Sequence, residues 1–262
     1  MNAIRRLALV AAAPLALASV AKAQENRPVV AVLYFDNNSI GKDRADYDGL
    51  GKGIADLLIT DMASNPRMRV VEREKVQKVL EEQNLVKAGA IDQNTAVKLG
   101  KILGAQYMIT GGFLSDGRGN MVLTSRAINV QTSEITNPSR VQEKTDDVLG
   151  LIAKMSAKLN EDLKLPALAP QRTGDASPAA GKAQGTQAGA PANSGKSASS
   201  GAAMKPTKLD VRTALLYSKA LEEQDNGHAD KAADLYRAVL TKFPDFGPAK
   251  ANYAKVAKQK TS

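Results

Sequence analysis

Four groups of residues in this sequence have types and spacings that could carry chemistry. Gly49-Leu50-Gly51-Lys52-Gly53 offers glycines and a lysine to a phosphate. However, the G-x-x-x-x-G-K-[ST] spacing that cradles a phosphate in backbone N–H groups is missing, and no strand directly precedes the run. These glycines read as a helix start. Asp43, Asp46 and Asp48 cluster as calcium ligands do, but Lys42 and Arg44 lie among them and no bidentate acid follows at the required distance. They read as solvated loop charge. Glu72, Glu74, Glu81 and Glu82 could supply an acid/base pair, yet Lys75 and Lys78 share their helix at salt-bridging spacings, as on an exposed charged face. His228 is the single histidine and falls in a turn beside Asn226-Gly227. It has no second histidine to share a metal and no Ser-His-Asp spacing.

The residue inventory narrows the chemistry further. The 262 residues include no Cys, no Trp and one His. Thiolate metal sites, iron–sulfur clusters, disulfide scaffolds and Cys nucleophiles are therefore excluded. No cofactor, metal or catalytic residue is called for, and the chain reads as a non-enzyme. An exported hydrolase would need a cleft of converging acids or an activated hydroxyl, which the sequence does not display. The net charge of +9 invites a nucleic-acid reading, but its distribution argues against one. Residues 24–166 carry 19 bases and 19 acids, and most of the excess lies in 1–23 and 167–208. A nucleic-acid binder concentrates basic charge on a folded face.

The elements follow from hydrophobic period. Residues 1–23 read as a signal peptide: Arg5 and Arg6 precede the apolar run Leu7–Val20, and Ala21-Lys22-Ala23 offers a small-x-small cleavage site. The run is about 14 residues, short of the ~20 that span a bilayer. Val29 to Phe35 reads as a strand buried on both faces. Leu50, Ile54, Leu57, Leu58 and Met62 recur at helical spacing until Asn65-Pro66. A short strand at 68–71, a helix through Val76, Val79, Leu80 and Leu85, and a helix from Gln93 to Leu103 closed by Gly104 come next. Two strands, 106–114 and 121–130, flank a glycine-containing turn. A further strand is expected near Glu134, and a helix over 145–163 closes the unit. The expected fold class of residues 24–166 is α/β, a mixed sheet flanked by helices.

Residues 167–208 are Ala, Gly, Ser and Pro-rich, a composition that cannot offset its own ordering entropy. They read as a disordered linker whose ends lie roughly 35 Å apart, keeping two units from sharing one core. Residues 209–262 read as a separate small all-α domain, with Ala232, Tyr236 and Pro244 placed as in a tetratricopeptide helix pair. One repeat and a half falls below the ~3 needed for independent stability, so this unit needs a partner or self-association. Tyr217, Tyr236, Phe243 and Phe246 are its candidate partner-binding residues.

Two segments, Val70 to Leu85 and Leu99 to Phe113, resemble the CsgG family, whose namesake is the curli production assembly and transport component. Tyr34-Phe35-Asp36, Gly49-Leu50-Gly51 and Ala127 to Ile135 match in order and spacing, so the resemblance covers about residues 28–163. It implies an exported cell-envelope protein of an oligomeric family. The best-known member is a lipidated pore whose subunits contribute β-hairpins to a barrel. This chain has no Cys to acylate, and its segments at 116–120 and 136–147 leave no room for barrel strands of ~9 to 11 residues.

Together these readings describe a periplasmic assembly, secretion-accessory or adaptor protein that acts by binding envelope or secreted proteins. Self-association and peripheral outer-membrane attachment stay open, nucleic acid is not a partner, and the alternative is a subunit of a curli-type outer-membrane channel.

Overall fold

The computed structural model describes residues 27–85, 91–116, 118–135, 138–163 and 208–259. The expected signal peptide, and all but the last residue of the expected linker, lie outside the described residues.

β1 (Val29–Val32) is an inner strand of the sheet, parallel to β3 (Arg69–Val70) on one side and to β4 (Tyr107–Ser115) on the other. The short β2 (Asp36–Asn37) pairs parallel with the end of β4. β5 (Asn120–Asn129) runs antiparallel to β4 from Tyr107↔Asn129 to Ser115↔Met121, and β6 (Ser139–Lys144) closes the order β3-β1-β4-β5-β6. The alternation of β1 divides two cores. Val30 and Val32 enter one cluster, Ala31 and Leu33 the other, and all four are buried.

The second cluster is covered by α3 (Arg73–Glu82) and α4 (Gln93–Leu103). α4 starts where Asp92 accepts bonds from the Asn94 and Thr95 N–H groups, and it ends at Gly104 with φ 65°. The first cluster is covered by α2 (Leu50–Ala63) and α5 (Val148–Asp162), while α1 (Lys42–Asp46) is a short turn ahead of α2. The mixed sheet with flanking helices is as expected.

The strand expected near Glu134 is a correction. Only Ile135 bridges there, to Ile128, and the strand proper begins at Ser139. Ser139 and Val141 point inward while Arg140 and Gln142 point out, so the period is that of a strand with a single large apolar residue to announce it.

Three helices complete the molecule: α6 (Val211–Asp225), α7 (Ala229–Lys242) and α8 (Gly247–Gln259). They follow residues 164–207 in the chain. They do not keep a separate core, however: α6 lies on α2, and one buried cluster runs from the sheet through α2 into Tyr217, Tyr236 and Phe246. The physical reason is the face of α2 turned away from the sheet. That face carries Gly49, Lys52, Gly53 and Asp56, small or polar residues that let a second helix approach closely. A Cβ on Gly53 would overlap Ser218 Oγ of α6. Backbone bonds from Val148 N–H to the Leu209 carbonyl (2.8 Å) and from Val211 N–H to the Thr145 carbonyl (2.7 Å) strap the entry of α6 to the start of α5.

Candidate functional site

The polar groups converge where α2, α3, α6 and α8 meet. Arg73 opens α3 and is buried, with a side chain 1% exposed. Its Nη1 donates to both carboxylate oxygens of Asp225, at 2.8 and 2.7 Å, and its Nε lies 3.3 Å from Asp56 Oδ1. Lys52 Nζ donates to the same Asp225 at 2.8 Å and stands 5.3 Å from the centre of the Tyr34 ring. Asp56 accepts the Tyr217 hydroxyl, which in turn accepts Asn252 Nδ2 at 2.9 Å. At the rim Lys255 of α8 donates to Glu74 of α3 at 2.7 Å.

The electrostatics follow from burial and pairing. Burial works against the charged guanidinium of Arg73, but Asp225 outweighs it and holds the group protonated above its ordinary range. Burial pushes the Asp56 carboxyl up, against the Tyr217 hydroxyl and Arg73, which pull it down. Burial likewise raises the Tyr34, Tyr217 and Tyr236 phenols. Glu74 is held low despite its partial burial, chiefly by the bond from Lys255.

Replacing Tyr217 by Phe keeps the ring packing, with Phe246 5.2 Å away, but removes the donor to Asp56 and the acceptor for Asn252. A loss of about 2 kcal/mol is expected in urea unfolding. The sign of its pH dependence is fixed by Asp56. A carboxyl already raised is raised further without its donor, so the folded state takes up a proton that the unfolded state does not. The defect is then complete at neutral pH and shrinks as pH falls through that raised value.

A cleft of about 720 Å³ adjoins this junction, beyond the end of β1, and Tyr34 and Lys52 are common to both. Asp36, Asn38, Arg44 and Glu222 line it as well. Burial raises the Asp36 carboxyl, while Arg126 acts the other way. The cleft's polar groups are largely committed to one another. Asn37 Nδ2 donates to the Arg44 carbonyl and to Asp48, at 2.7 and 3.2 Å, and Lys52 is held by Asp225. Such a junction supports binding and positioning, and none of these contacts sets a nucleophile against a base.

The residues singled out above find definite places. Gly49 caps α2 with φ 84°, and Gly51 lies against the Phe35 carbonyl, so the glycines serve close packing at a helix start. Asp48 accepts from Asn37, and among the described residues no group of three or more His, Asp or Glu is arranged to hold a metal. Glu81 accepts from Gln77 at 2.5 Å, and His228 Nδ1 lies 2.6 Å from Glu223. Tyr217, Tyr236 and Phe246 are buried against one another, with centroids of Tyr217 6.0 Å from Tyr236, and Phe243 is half-buried 5.5 Å from Phe246. These four aromatics face the chain's own helices, so a partner would reach the three buried ones only if that packing opened.

The junction itself was missed in the sequence. One signal was present: Arg73 begins a helix and Asp225 ends one, each at the end where the helix dipole opposes its charge. Charges placed against the dipole need a partner elsewhere.

Comparison with known proteins gives a family match. Residues 10–115 match the family described as curli production assembly/transport component CsgG. No curated protein matches the sequence. Among solved structures the chain is similar to the LpoB C-terminal domain from Escherichia coli (16% identity over 48% of this chain and 93% of that one, TM-score 0.36). It is also similar to the PelC dodecamer from Paraburkholderia phytofirmans in space group P6 (12%, 53% and 89%, TM-score 0.35). A third is lipoprotein GNA1162 from Neisseria meningitidis (13%, 52% and 96%, TM-score 0.35). The family match covers residues 10–115 and so reaches the last residue of β4.

Proposed function

We propose that the chain is a non-enzymatic cell-envelope protein of the CsgG family, exported to the periplasm, that assists assembly or secretion by binding other proteins. The observation that carries this reading is the use made of the buried charges. Arg73, Asp56 and Lys52 of the α/β unit hold Asp225 of α6 within one chain, so the buried charges serve contact between units. The family match supports the envelope setting. The long strands β4 and β5 support a role outside the bilayer, since Met108, Ile109, Leu123, Ala127 and Ile128 are spent on the two cores. No helix among the described residues is long and apolar enough to cross a membrane.

The test is osmotic-shock fractionation of cells carrying the tagged chain, followed by cross-linking in intact cells. Release with the shock fluid and cross-links to envelope or secreted proteins are the expected results. Sedimentation with outer membranes, together with conductance in liposomes, would establish the channel reading instead. Loss of the cellular phenotype on changing one surface acid would point to an enzyme.

A further inference from the structure

We propose that the face of α2 and α3 around Arg73 is a socket that takes the α6–α8 unit of a second copy as well as the chain's own, so that two chains can exchange these units reciprocally. In the exchanged pair each Arg73 is held by the other copy's Asp225, and each Asp56 by the other copy's Tyr217. This goes beyond the function proposed above and does not depend on it.

The socket has the chemistry of a surface that can be uncovered. Its α2 side consists of Gly49, Lys52, Gly53 and Asp56, while Leu50, Ile54, Leu57, Leu58 and Met62 turn to the sheet core. Uncovered, Lys52, Asp56 and Arg73 regain water. Buried ion pairs add little net attraction over that state but strongly penalise a wrong match. The contact is therefore selective, because Gly53 admits the small Ser218, Arg73 requires an acid and Asp56 requires a donor.

The connection permits exchange. α6 enters beside the start of α5, at the Leu209–Val148 bond, whereas the preceding chain leaves the far end of α5. Closing within one chain means returning along α5, about 22 Å for its 15 residues at 1.5 Å each. Residues 164–207 supply 44 residues, which fully extended reach roughly 150 Å. This length serves a neighbouring socket as readily as its own. Both arrangements make the same contacts, so the choice falls to concentration. A link of that length presents its end at an effective concentration on the order of mM, and exchange competes where copies are held that closely.

Carbodiimide coupling reads the arrangement directly, because it joins only touching amines and carboxylates. Lys52–Asp225 at 2.8 Å and Lys255–Glu74 at 2.7 Å both cross the socket. Isotopically heavy and light full-length chains are unfolded together, refolded at a series of concentrations, coupled and analysed by mass spectrometry. Like pairs alone are expected at low micromolar concentration, with heavy–light pairs rising toward half of the total near the millimolar range. A second chain lacking residues 165–206 keeps a link of about 11 Å, too short to close on itself. This shortened chain is expected to be a dimer by light scattering at micromolar concentration, with Lys52–Asp225 coupling between subunits. Absence of heavy–light pairs at the highest concentration, or a shortened chain that stays monomeric with its helices folded, overturns the proposal.

Discussion

A chain carrying Arg73→Met is expected to lose about 3 to 5 kcal/mol of the free energy that holds α6–α8 on the α/β unit. Met keeps the unbranched apolar stem and removes the guanidinium, so the loss measures the charge together with its hydrogen bonds. Asp225 would keep only Lys52, and Asp56 only the Tyr217 hydroxyl, in a place from which water is largely removed. The cost is bounded by the ease of undocking, since a detached unit hydrates both carboxylates. The expected signature is therefore selective: amides of α6–α8 gain fast hydrogen exchange while those of β1, β4 and β5 stay protected. Added salt should restore little, because screening acts weakly on buried pairs. Removing both partners, as in Arg73→Met with Asp225→Leu, empties that pair but leaves Lys52 without its acid and Asp56 with only the Tyr217 hydroxyl, so it should recover part of the docking. A single Arg73→Met chain with unchanged exchange in α6–α8 would show that apolar packing alone holds the unit.

Why that contact was illegible in the sequence follows from what periodicity measures. β1 was legible because both its faces are apolar, and α4 because Asp92 and Gly104 mark its ends with specific backbone chemistry. The β4–β5 pair was legible because two apolar runs flank a turn. In α2 the stripe of Leu50, Ile54, Leu57, Leu58 and Met62 announced one buried face and gave no signal for the other. That other face is buried by close approach and ion pairing, which leave no apolar trace. The aromatics of α6–α8 are ambiguous in the sequence for a related reason. Tyr217, Tyr236 and Phe246 could serve a surface or a core equally well, and three short helices have few other large side chains with which to build a core. β6 was placed a few residues early because an edge strand with Arg140, Gln142 and Lys144 along it is written as a polar loop is written.

The glycines of α2 separate what folds the α/β unit from what docks the helices, and Gly51→Ala is expected to be the most damaging of their substitutions. A Cβ there would overlap the Phe35 carbonyl oxygen, with the Phe35 carbonyl carbon 2.8 Å and its nitrogen 3.2 Å away. These are backbone atoms between β1 and β2, and Phe35 N–H donates to the Gly51 carbonyl at 3.3 Å, so no rotamer change can relieve the clash. The helix must move off the sheet, loosening the contacts of Leu50 and Ile54 with the first core. A loss of about 4 kcal/mol or more is expected in global urea unfolding, at the upper end for overpacking. Gly53→Ala should differ in kind. Its Cβ overlaps Ser218 Oγ, a side-chain atom on the docked unit, so α6–α8 should lose exchange protection while the sheet unfolds at nearly the same urea concentration. Gly49→Ala meets nothing closer than Glu222 Oε2 at 3.8 Å and bears only the strain of φ 84°, roughly 1 to 2 kcal/mol. The expected order of global destabilisation is Gly51, then Gly49, then Gly53, whereas the order for undocking alone places Gly53 above Gly49. If Gly53→Ala unfolded the sheet as completely as Gly51→Ala, the α/β unit and the α6–α8 unit would be a single cooperative body, and the distinction between folding and docking would fail.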